Sequence, residues 1–529
     1  MPDEKIKISP KKIFTVGELL ETHEQYEKNK TEWQLLNAVY GGIRKIIAAG
    51  LITRHERESF VSYERRISEL YGFGYTKSVV EIFHFYLFKK ESDKILGGLA
   101  ENTLWKMFIN DADLYGGDFD AVMMDIGLNA AILGHMGVMV DKSSATFSTL
   151  QEQIDEEVYP YISKYFPSAI LDWEFKRDSR TDRPYLSYLK LLDEDGRYRV
   201  WYIDQWEIWE LPTDEKGEKR DGVDAEAKLV SAGVNPIEVI PFIWHYNFKS
   251  NYQGIGVSDI HEVSRIDLSI IRTMSQLDEV FNFAAFPMMR KPMRDAKPTD
   301  VSAPQQDDEV SVQVVLEFDP EHPDSKPDWL KAEVADPIKA GLDMVSKKVE
   351  EIYRAANIGG MAATEIQKQA RSGVALRSEF QLLNSKLISK GINLEDTEMR
   401  ILEYWLRWEN LWNQYKDKVK IKRKKTYDIE NLTADLANAL TARTIVISKK
   451  FNEILQKQTA RMVLPSANEN DLATIDEEIE TELEKPPEKN LTDDMDDYMD
   501  DEDKEVVDPD VVAKTRTGRT LAYSNLIRA

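Results

Sequence analysis

The sequence predicts an α+β fold that is mainly α-helical, and three observations support this class. Through most of residues 258–415, apolar residues recur every three or four positions, which is the period of an amphipathic helix. Over residues 169–243, aromatic and charged residues alternate between segments of turn composition, which predicts antiparallel β-hairpins. Seven prolines within residues 287–335 exclude a continuous helix there, so this insert separates two long helices.

The N-terminal part begins with a polar segment and continues as helices. Residues 1–30 are polar and lysine-rich, which predicts a flexible arm. From residue 31 to 89 the pattern is helical, and arginines among acids indicate a solvated face with ion pairs. Residues 121–140 are the most apolar stretch, but Asp125 and Asn129 interrupt it. We therefore predict a buried helix there rather than a membrane span.

The aromatic residues of the hairpin region allow two interpretations. Aromatic and basic side chains interleaved on one surface are typical of single-stranded nucleic-acid binding. Aromatic pairs across neighbouring strands also stabilise a sheet. The second interpretation is favoured for residues 169–243.

Two amphipathic helices flank the proline-rich insert. The first is predicted over residues 258–286 and the second over residues 336–358, which begin with the favourable helix start Asp336-Pro337. The apolar stripe of the first consists of Val263, Ile266, Ile270, Met274, Leu277 and Phe281. The stripe of the second consists of Ile338, Leu342, Val345, Val349, Ile352 and Ala356. The insert is either a linker or, because residues 311–318 are strongly apolar, a small α/β lobe.

A glycine-bounded loop and a third helix follow. The loop spans residues 359–373 and carries Lys368 and Arg371. The helix is predicted over residues 374–415, with a kink expected at Gly391. Its apolar positions are Leu376, Phe380, Leu383, Leu387, Leu394, Ile401, Trp405, Trp408 and Trp412.

The C-terminal part combines a basic segment with a long acidic one. Residues 416–425 contain seven lysines or arginines, which indicate either a nucleic-acid-binding patch or an edge strand protected by lysine. Residues 466–529 are predicted to be a disordered tail that is acidic and then basic at its end. Within it, residues 471–510 hold 19 acids and three lysines, so they account for 16 of the 25 net negative charges.

The sequence contains no motif of an enzyme or a metal site. There is no cysteine, which excludes disulfides and thiolate metal sites. The phosphate-binding G-x-x-x-x-G-K-[ST] loop and the H-E-x-x-H motif are both missing, and the seven histidines are scattered. We therefore expect no enzymatic activity, no cofactor and no bound metal.

The order of these segments resembles the portal protein family of tailed bacteriophages. The closest similarity is the stretch SGVALRSEFQLLNSKLISKGINLEDTEMRILEYWLRW at residues 372–408, and the resemblance extends over residues 33–464. It rests on the order of segments rather than on one short motif. The family's layout then implies these domains: arm 1–30, wing 31–257, first stem helix 258–286, clip 287–335, second stem helix 336–358, tunnel loop 359–373, long wing helix 374–415, crown 416–465 and tail 466–529.

The resemblance implies a structural function in the virion. Portal subunits form a ring, here expected to be a dodecamer, at one capsid vertex, assembled in the host cytoplasm and not in a membrane. Double-stranded DNA passes through the ring without sequence-specific binding during packaging and ejection. The expected partners are the terminase large subunit, a head-completion adaptor, and the major capsid and scaffolding proteins. A mainly acidic lumen fits this function because it repels phosphates and keeps DNA moving.

The resemblance also suggests which side chains contact DNA. In the tunnel loop the candidates are Gln367, Lys368, Gln369 and Arg371, which alternatively belong to a solvated surface loop. In the stem and clip the lumen candidates are Arg265, Arg272, Lys291, Arg294, Lys347 and Lys348, which alternatively pair with acids of the adjacent subunit. Two other functions stay open: a terminase-type packaging ATPase or nuclease, and a capsid scaffold or connector that is not a portal.

Overall fold

A computed structural model describes most of the chain, and mixed helix and sheet make it an α+β protein, as predicted. The described residues are 9–89, 91–143, 145, 147–212, 224–285, 288–290, 328–330, 334–356, 373–423, 427, 449–463 and 469–484. The chain divides into two units, residues 1–428 and residues 429–529.

The first unit begins with five helices. They are α1 (Val16–Leu20), α2 (Glu24–Tyr40), α3 (Ile43–Ala48), α4 (Phe60–Ser68) and α5 (Tyr75–Phe88). The prediction of a flexible arm over residues 1–30 is wrong from Phe14 onwards. Phe14 and Leu19 are buried, and the Phe14 ring meets Trp209 edge-on at 5.3 Å between centroids. Val16 is buried as well, and backbone hydrogen bonds join Phe14 and Val16 to residues 225–227, so apolar burial and backbone pairing together hold this segment.

Helices and strands then alternate. The helices are α6 (Thr103–Asn110), α7 (Phe119–Leu133) and α8 (Leu150–Asp155), with 3₁₀ turns at Gly97–Glu101 and Pro167–Ala169. The strands are β1 (Asp93–Ile95), β2 (His135–Asp141), β3 (Tyr161–Tyr165), β4 (Ile170–Arg177), β5 (Pro184–Leu192), β6 (Tyr198–Tyr202), β7 (Gln205–Glu210), β8 (Lys228–Val234), β9 (Phe242–Tyr246), β10 (Phe248–Lys249) and β11 (Gly256–Val257).

The hairpin prediction for residues 169–243 is confirmed. Strands β4 to β8 form an antiparallel five-stranded sheet in sequence order, while β9 joins a three-stranded sheet of order β3-β2-β9. Tyr188 and Tyr202 are direct cross-strand partners whose rings lie 5.6 Å apart. The aromatic residues therefore form cross-strand pairs, as the favoured interpretation expected.

The apolar stretch at residues 121–140 is a buried helix, α7, followed by the buried strand β2. Gly134 joins them at φ 94°, and a Cβ at this position would lie 2.5 Å from the carbonyl oxygen of Gly256. Only glycine fits this turn. Among the described residues, no helix combines the length and apolarity needed to cross a bilayer.

The rest of the first unit contains the long helices. They are α9 (Val263–Ala285), α10 (Ala335–Ala356), α11 (Gly373–Trp408) and α12 (Trp412–Tyr415), with the strands β12 (Met288–Arg290), β13 (Asp328–Leu330) and β14 (Lys420–Lys422). The two helices predicted around the insert are confirmed, and β12 and β13 form an antiparallel pair at the ends of the insert. The remainder of the insert, and the loop before Gly373, lie outside the described residues.

Helix α11 crosses the main core. Leu383, Leu387, Leu394, Ile401 and Trp405 are all fully buried, as the predicted apolar stripe requires. The helix is continuous through Gly391, where a side chain would collide with the hydroxyl of Tyr427. Close approach of Tyr427 is thus one physical reason for this glycine.

In the second unit, residues 469–484 correct the prediction of a disordered tail. They form α14 (Glu469–Glu484), which follows α13 (Lys449–Val463). Lys457 pairs with Glu480, and Arg461 pairs with Asp476 at 2.7 Å. The acidic composition of residues 469–484 predicted disorder, but basic side chains of α13 pair with some of the acids of α14.

Two buried histidines make the stability of the first unit dependent on pH. His135 accepts a hydrogen bond from the Gly256 amide at 3.3 Å, and the His245 ring bonds the Thr397 hydroxyl at 2.9 Å. Burial lowers the pKa of each to about 3. The unfolded chain takes up protons near pH 6.5, so the stability present above that pH is lost as the pH falls.

We expect the urea midpoint of unfolding to drop between pH 7 and pH 5.5, with a loss of about 2 kcal/mol for the two histidines together. The double variant H135Q/H245Q should lose this part of the pH dependence. An unchanged profile in the double variant would contradict the assignment.

Candidate functional site: the paired stem helices

Helices α9 and α10, called the stem pair below after the two predicted stem helices to which they correspond, lie antiparallel along each other. Gly341 of α10 faces Leu277 of α9, and a Cβ at residue 341 would lie 2.6 Å from Leu277 Cδ2. Nearer the core, Lys348 Nζ donates hydrogen bonds to Ser269 Oγ and Thr273 Oγ1, both at 2.9 Å. With 23 residues, α9 is about 35 Å long at 1.5 Å per residue.

The two halves of the stem pair differ in burial. Near the core, Ile270, Val349 and Ile352 are buried. In the far half, Phe281 is 64% exposed, although it belongs to the same predicted stripe as Ile270. Leu342 is 48% exposed and Met344 is 45% exposed. Leu342 and Met344, two positions apart, lie on different faces of α10. Several large apolar side chains that one chain leaves in water at one end of a helix pair indicate surfaces that contact another molecule.

The N-terminal helices hold α9 through polar contacts. The amide and hydroxyl of Thr76, at the start of α5, both donate to Asp267 Oδ2, at 2.9 and 2.7 Å. Burial raises the pKa of Asp267, and these bonds oppose that shift. Further along, Arg65 pairs with Glu279 at 2.8 Å, and Arg66 donates to Ser275 Oγ at 3.2 Å.

An ion pair fixes the segment immediately before α9. The Asp259 carboxylate pairs with the Lys390 ammonium of α11, and the side chains are 2% and 3% exposed. Asn247 Nδ2 donates to Asp259 Oδ1 at 3.1 Å, and the ammonium lies 4.7 Å from the centroid of the Phe83 ring. Burial lowers the pKa of Lys390, and Asp259 opposes that shift. The pair thus joins the stem pair to the helix that crosses the core.

The structure places three of the predicted lumen residues in contacts within the chain. Arg265 pairs with Glu32 of α2, and Arg272 Nε donates to the Leu51 carbonyl at 3.1 Å. Lys348 lies between the helices, and burial lowers its pKa. Lys347 is exposed. The other candidates lie outside the described residues, so their functions stay predictions: Lys291, Arg294, Gln367, Lys368, Gln369 and Arg371.

Sequence reasoning missed the residues that anchor the stem pair. Asp259 and Lys390 are 131 positions apart, and no local pattern connects them. Thr76 lies two residues after Gly74, where the sequence allows a helix to begin. The carboxylate that accepts its hydrogen bonds belongs to Asp267, which is distant in the sequence. In the part of the chain that the structure describes, no cluster of three His, Asp or Glu side chains is arranged to hold a metal ion.

Comparison with known proteins gives matches among solved structures alone. No protein-family model matches the chain, and no curated protein matches it. The chain is similar to one from "Virion of native gene transfer agent (GTA) particle", with 11% identity, a TM-score of 0.36, and coverage of 82% of this chain and 98% of that chain. It is similar to one from "Neck of empty GTA particle computed with C6 symmetry", with 11% identity, a TM-score of 0.38, and coverage of 76% and 95%. A chain from "Neck of native GTA particle computed with C12 symmetry" gives 13% identity, a TM-score of 0.34, and coverage of 73% and 88%.

Proposed function

We propose that the chain is the subunit of a portal ring, which stands at one capsid vertex and conducts double-stranded DNA. The observation that carries this proposal is the far half of the stem pair. There a helix pair anchored firmly to the core presents Phe281, Leu342 and Met344 to solvent. The order of segments in the sequence, which resembles the portal family, supports the same function.

A second copy of the chain is the occupant proposed for this apolar surface. Side chains of two different faces meet when identical subunits pack head to tail. Such a contact closes into a ring if the rotation between subunits is constant, completes a full turn and adds no translation along the axis. A constant rotation requires a stem pair with one fixed direction. The buried Asp259–Lys390 pair and the buried hydrogen bonds of Thr76 to Asp267 supply that rigidity.

The proposed ring acts by shape and charge and not by catalysis. DNA would pass through the lumen with weak, non-specific and salt-sensitive contacts, to which the tunnel-loop residues Lys368 and Arg371 and the exposed Lys347 contribute. The far end of the stem pair and the insert at residues 287–335 would bind the terminase large subunit and then the adaptor. Major capsid proteins would surround the ring in the virion, and scaffolding proteins would contact it during head assembly.

Electron microscopy of the purified full-length protein tests this proposal. We expect rings with an axial hole wide enough for a DNA duplex and a mass near twelve subunits in solution. A protein that stays monomeric at high concentration contradicts the proposal. ATP hydrolysis by the purified chain would instead support the packaging ATPase, and rod-shaped dimers would support the scaffold or connector.

A further inference from the structure

A row of three lysines lies on a surface separate from the stem pair. Lys418, Lys420 and Lys422 are exposed, whereas the alternating Val419, Ile421 and Arg423 are buried. Lys420 and Lys422 lie on β14, which pairs antiparallel with β1. Lys418 lies in the turn just before it, where its amide donates to the Tyr415 carbonyl at 2.8 Å. The three lysines, called the lysine row below, are thus exposed in succession along an ordered segment.

Protection of a sheet edge does not account for the lysine row. Lysines often keep an unpaired edge from binding another strand. Here the amides on the outer edge of β14 already have partners on α11. The Ile421 amide donates to Met399 Sδ at 3.1 Å, and the Arg423 amide donates to Glu395 Oε2 at 3.0 Å. Because α11 covers this edge, the three lysines are not needed to keep another strand from pairing with it.

The segment is also held rigidly. The Arg423 guanidinium pairs with the buried Glu398 carboxylate, with Nε at 3.1 Å from Oε1, and its centre lies 5.0 Å from the centroid of the Phe88 ring. Val419 and Ile421 belong to the main core. A rigid surface loses little conformational entropy when it binds a ligand.

The charges of the lysine row are available to a partner. Among the described residues, none of the three lysines forms an ion pair, although Asp417 and Asp93 lie alongside in sequence and across the strand pair. By contrast, Lys94 of β1 is paired with Asp120 at 2.7 Å. Lys418 Nζ lies 5.8 Å from the centroid of the Tyr415 ring, a contact that leaves its positive charge uncompensated. Lysines without an acidic partner thus persist here in a chain whose net charge is −25.

We propose that the lysine row binds the phosphate backbone of duplex DNA, at a surface that is not the stem. Lys420 and Lys422, as alternate residues of an extended strand, are about 6.8 Å apart. Positive charges repeated at this short interval match a polymer that carries one phosphate per nucleotide. An acidic protein partner would favour an apolar centre surrounded by charges, whereas a row of point charges suits a repeating polyanion.

The test uses the full-length protein and a labelled 30-base-pair duplex of arbitrary sequence. The binding constant is measured by fluorescence anisotropy at several NaCl concentrations, for the wild type and for K418Q/K420Q/K422Q. The variant should bind more weakly, and the slope of log K against log salt should be shallower by about 2.7, at about 0.9 per lost phosphate contact. A matched control, K28Q/K77Q/K106Q, removes the same charge from exposed lysines already paired with Glu24, Glu81 and Glu101.

The result that supports the proposal is a shallower slope in the lysine-row variant with little change in the control. Equal loss in both variants, or DNA binding that is unaffected in the lysine-row variant, overturns it. Binding of poly-glutamate by the row in place of DNA overturns it in favour of an acidic protein partner. Ring formation is recorded for each variant by electron microscopy, so intact rings with an unchanged slope would reject the DNA site and leave the portal proposal standing.

Discussion

The double variant F281D/L342D should purify as a folded monomer instead of a ring. Both side chains are exposed in the single chain, so aspartate there costs the isolated fold little. In the ring they would be buried against a neighbour, where each large apolar side chain contributes about 1.5–3 kcal/mol. Losing both contacts and burying two carboxylates would weaken each interface by roughly a thousandfold or more. Light scattering after size-exclusion chromatography gives the mass, and the melting temperature of the monomer checks its fold.

A matched control separates loss of the stem contact from a general effect of added charge. Val61 of α4 and Phe85 of α5 are also exposed apolar residues, at positions outside the stem pair. The double variant V61D/F85D adds the same charge and should keep the mass of the ring. If F281D/L342D still assembles into rings, the apolar surface of the stem pair does not form the subunit interface.

The helices could be predicted because the periodic spacing of apolar residues in each helix lies within one continuous stretch of sequence. In α11, apolar residues return at helical intervals from Leu383 to Trp405, and each is buried as expected. The cross-strand pair of Tyr188 and Tyr202 was likewise foreseen in kind, since alternation predicts hairpins. Both patterns depend only on residues that are close to one another in the sequence.

The sequence pattern could not predict which part of an apolar helix stripe is buried and which part is exposed. Ile270 and Phe281 occupy equivalent positions in one apolar stripe of α9, yet the first is buried and the second is exposed. The difference arises because the core ends partway along the helix, which depends on where other elements pack. The order of the N-terminal segment could not be predicted for the same reason. Its Phe14 packs against Trp209, which lies 195 positions away in the sequence.

Ionic contacts were the least predictable, because charge alone does not reveal a partner. Arg272 was a candidate for contact with DNA, and in the structure its guanidinium bonds the Leu51 carbonyl. Lys348 was another, and its ammonium lies between the stem helices on two hydroxyls. Basic residues on a helix therefore need their tertiary contacts before a binding function is assigned to them.

The substitution K390M should destabilise the first unit by about 3–5 kcal/mol, because it leaves the buried Asp259 carboxylate without its counter-ion. Asn247 would still donate one hydrogen bond to that carboxylate, which is too little to replace an ammonium in an apolar site. The double variant D259N/K390M removes both charges, so it should recover part of the loss. Urea unfolding of the wild type, both single variants and the double variant gives the coupling energy of the pair.

The exposed pair of Arg400 and Asp396 on the same helix provides the control, since both side chains are 54% exposed. R400M should cost less than about 1 kcal/mol, because water already screens that pair. If K390M costs no more than R400M, the buried pair does not anchor the base of α9. If K390M is strongly destabilising, hydrogen exchange should show the start of α9 opening first, because Asp259 joins that segment to α11. The orientation of the stem pair would then depend on this buried ion pair in addition to the contacts that α4 and α5 make with α9.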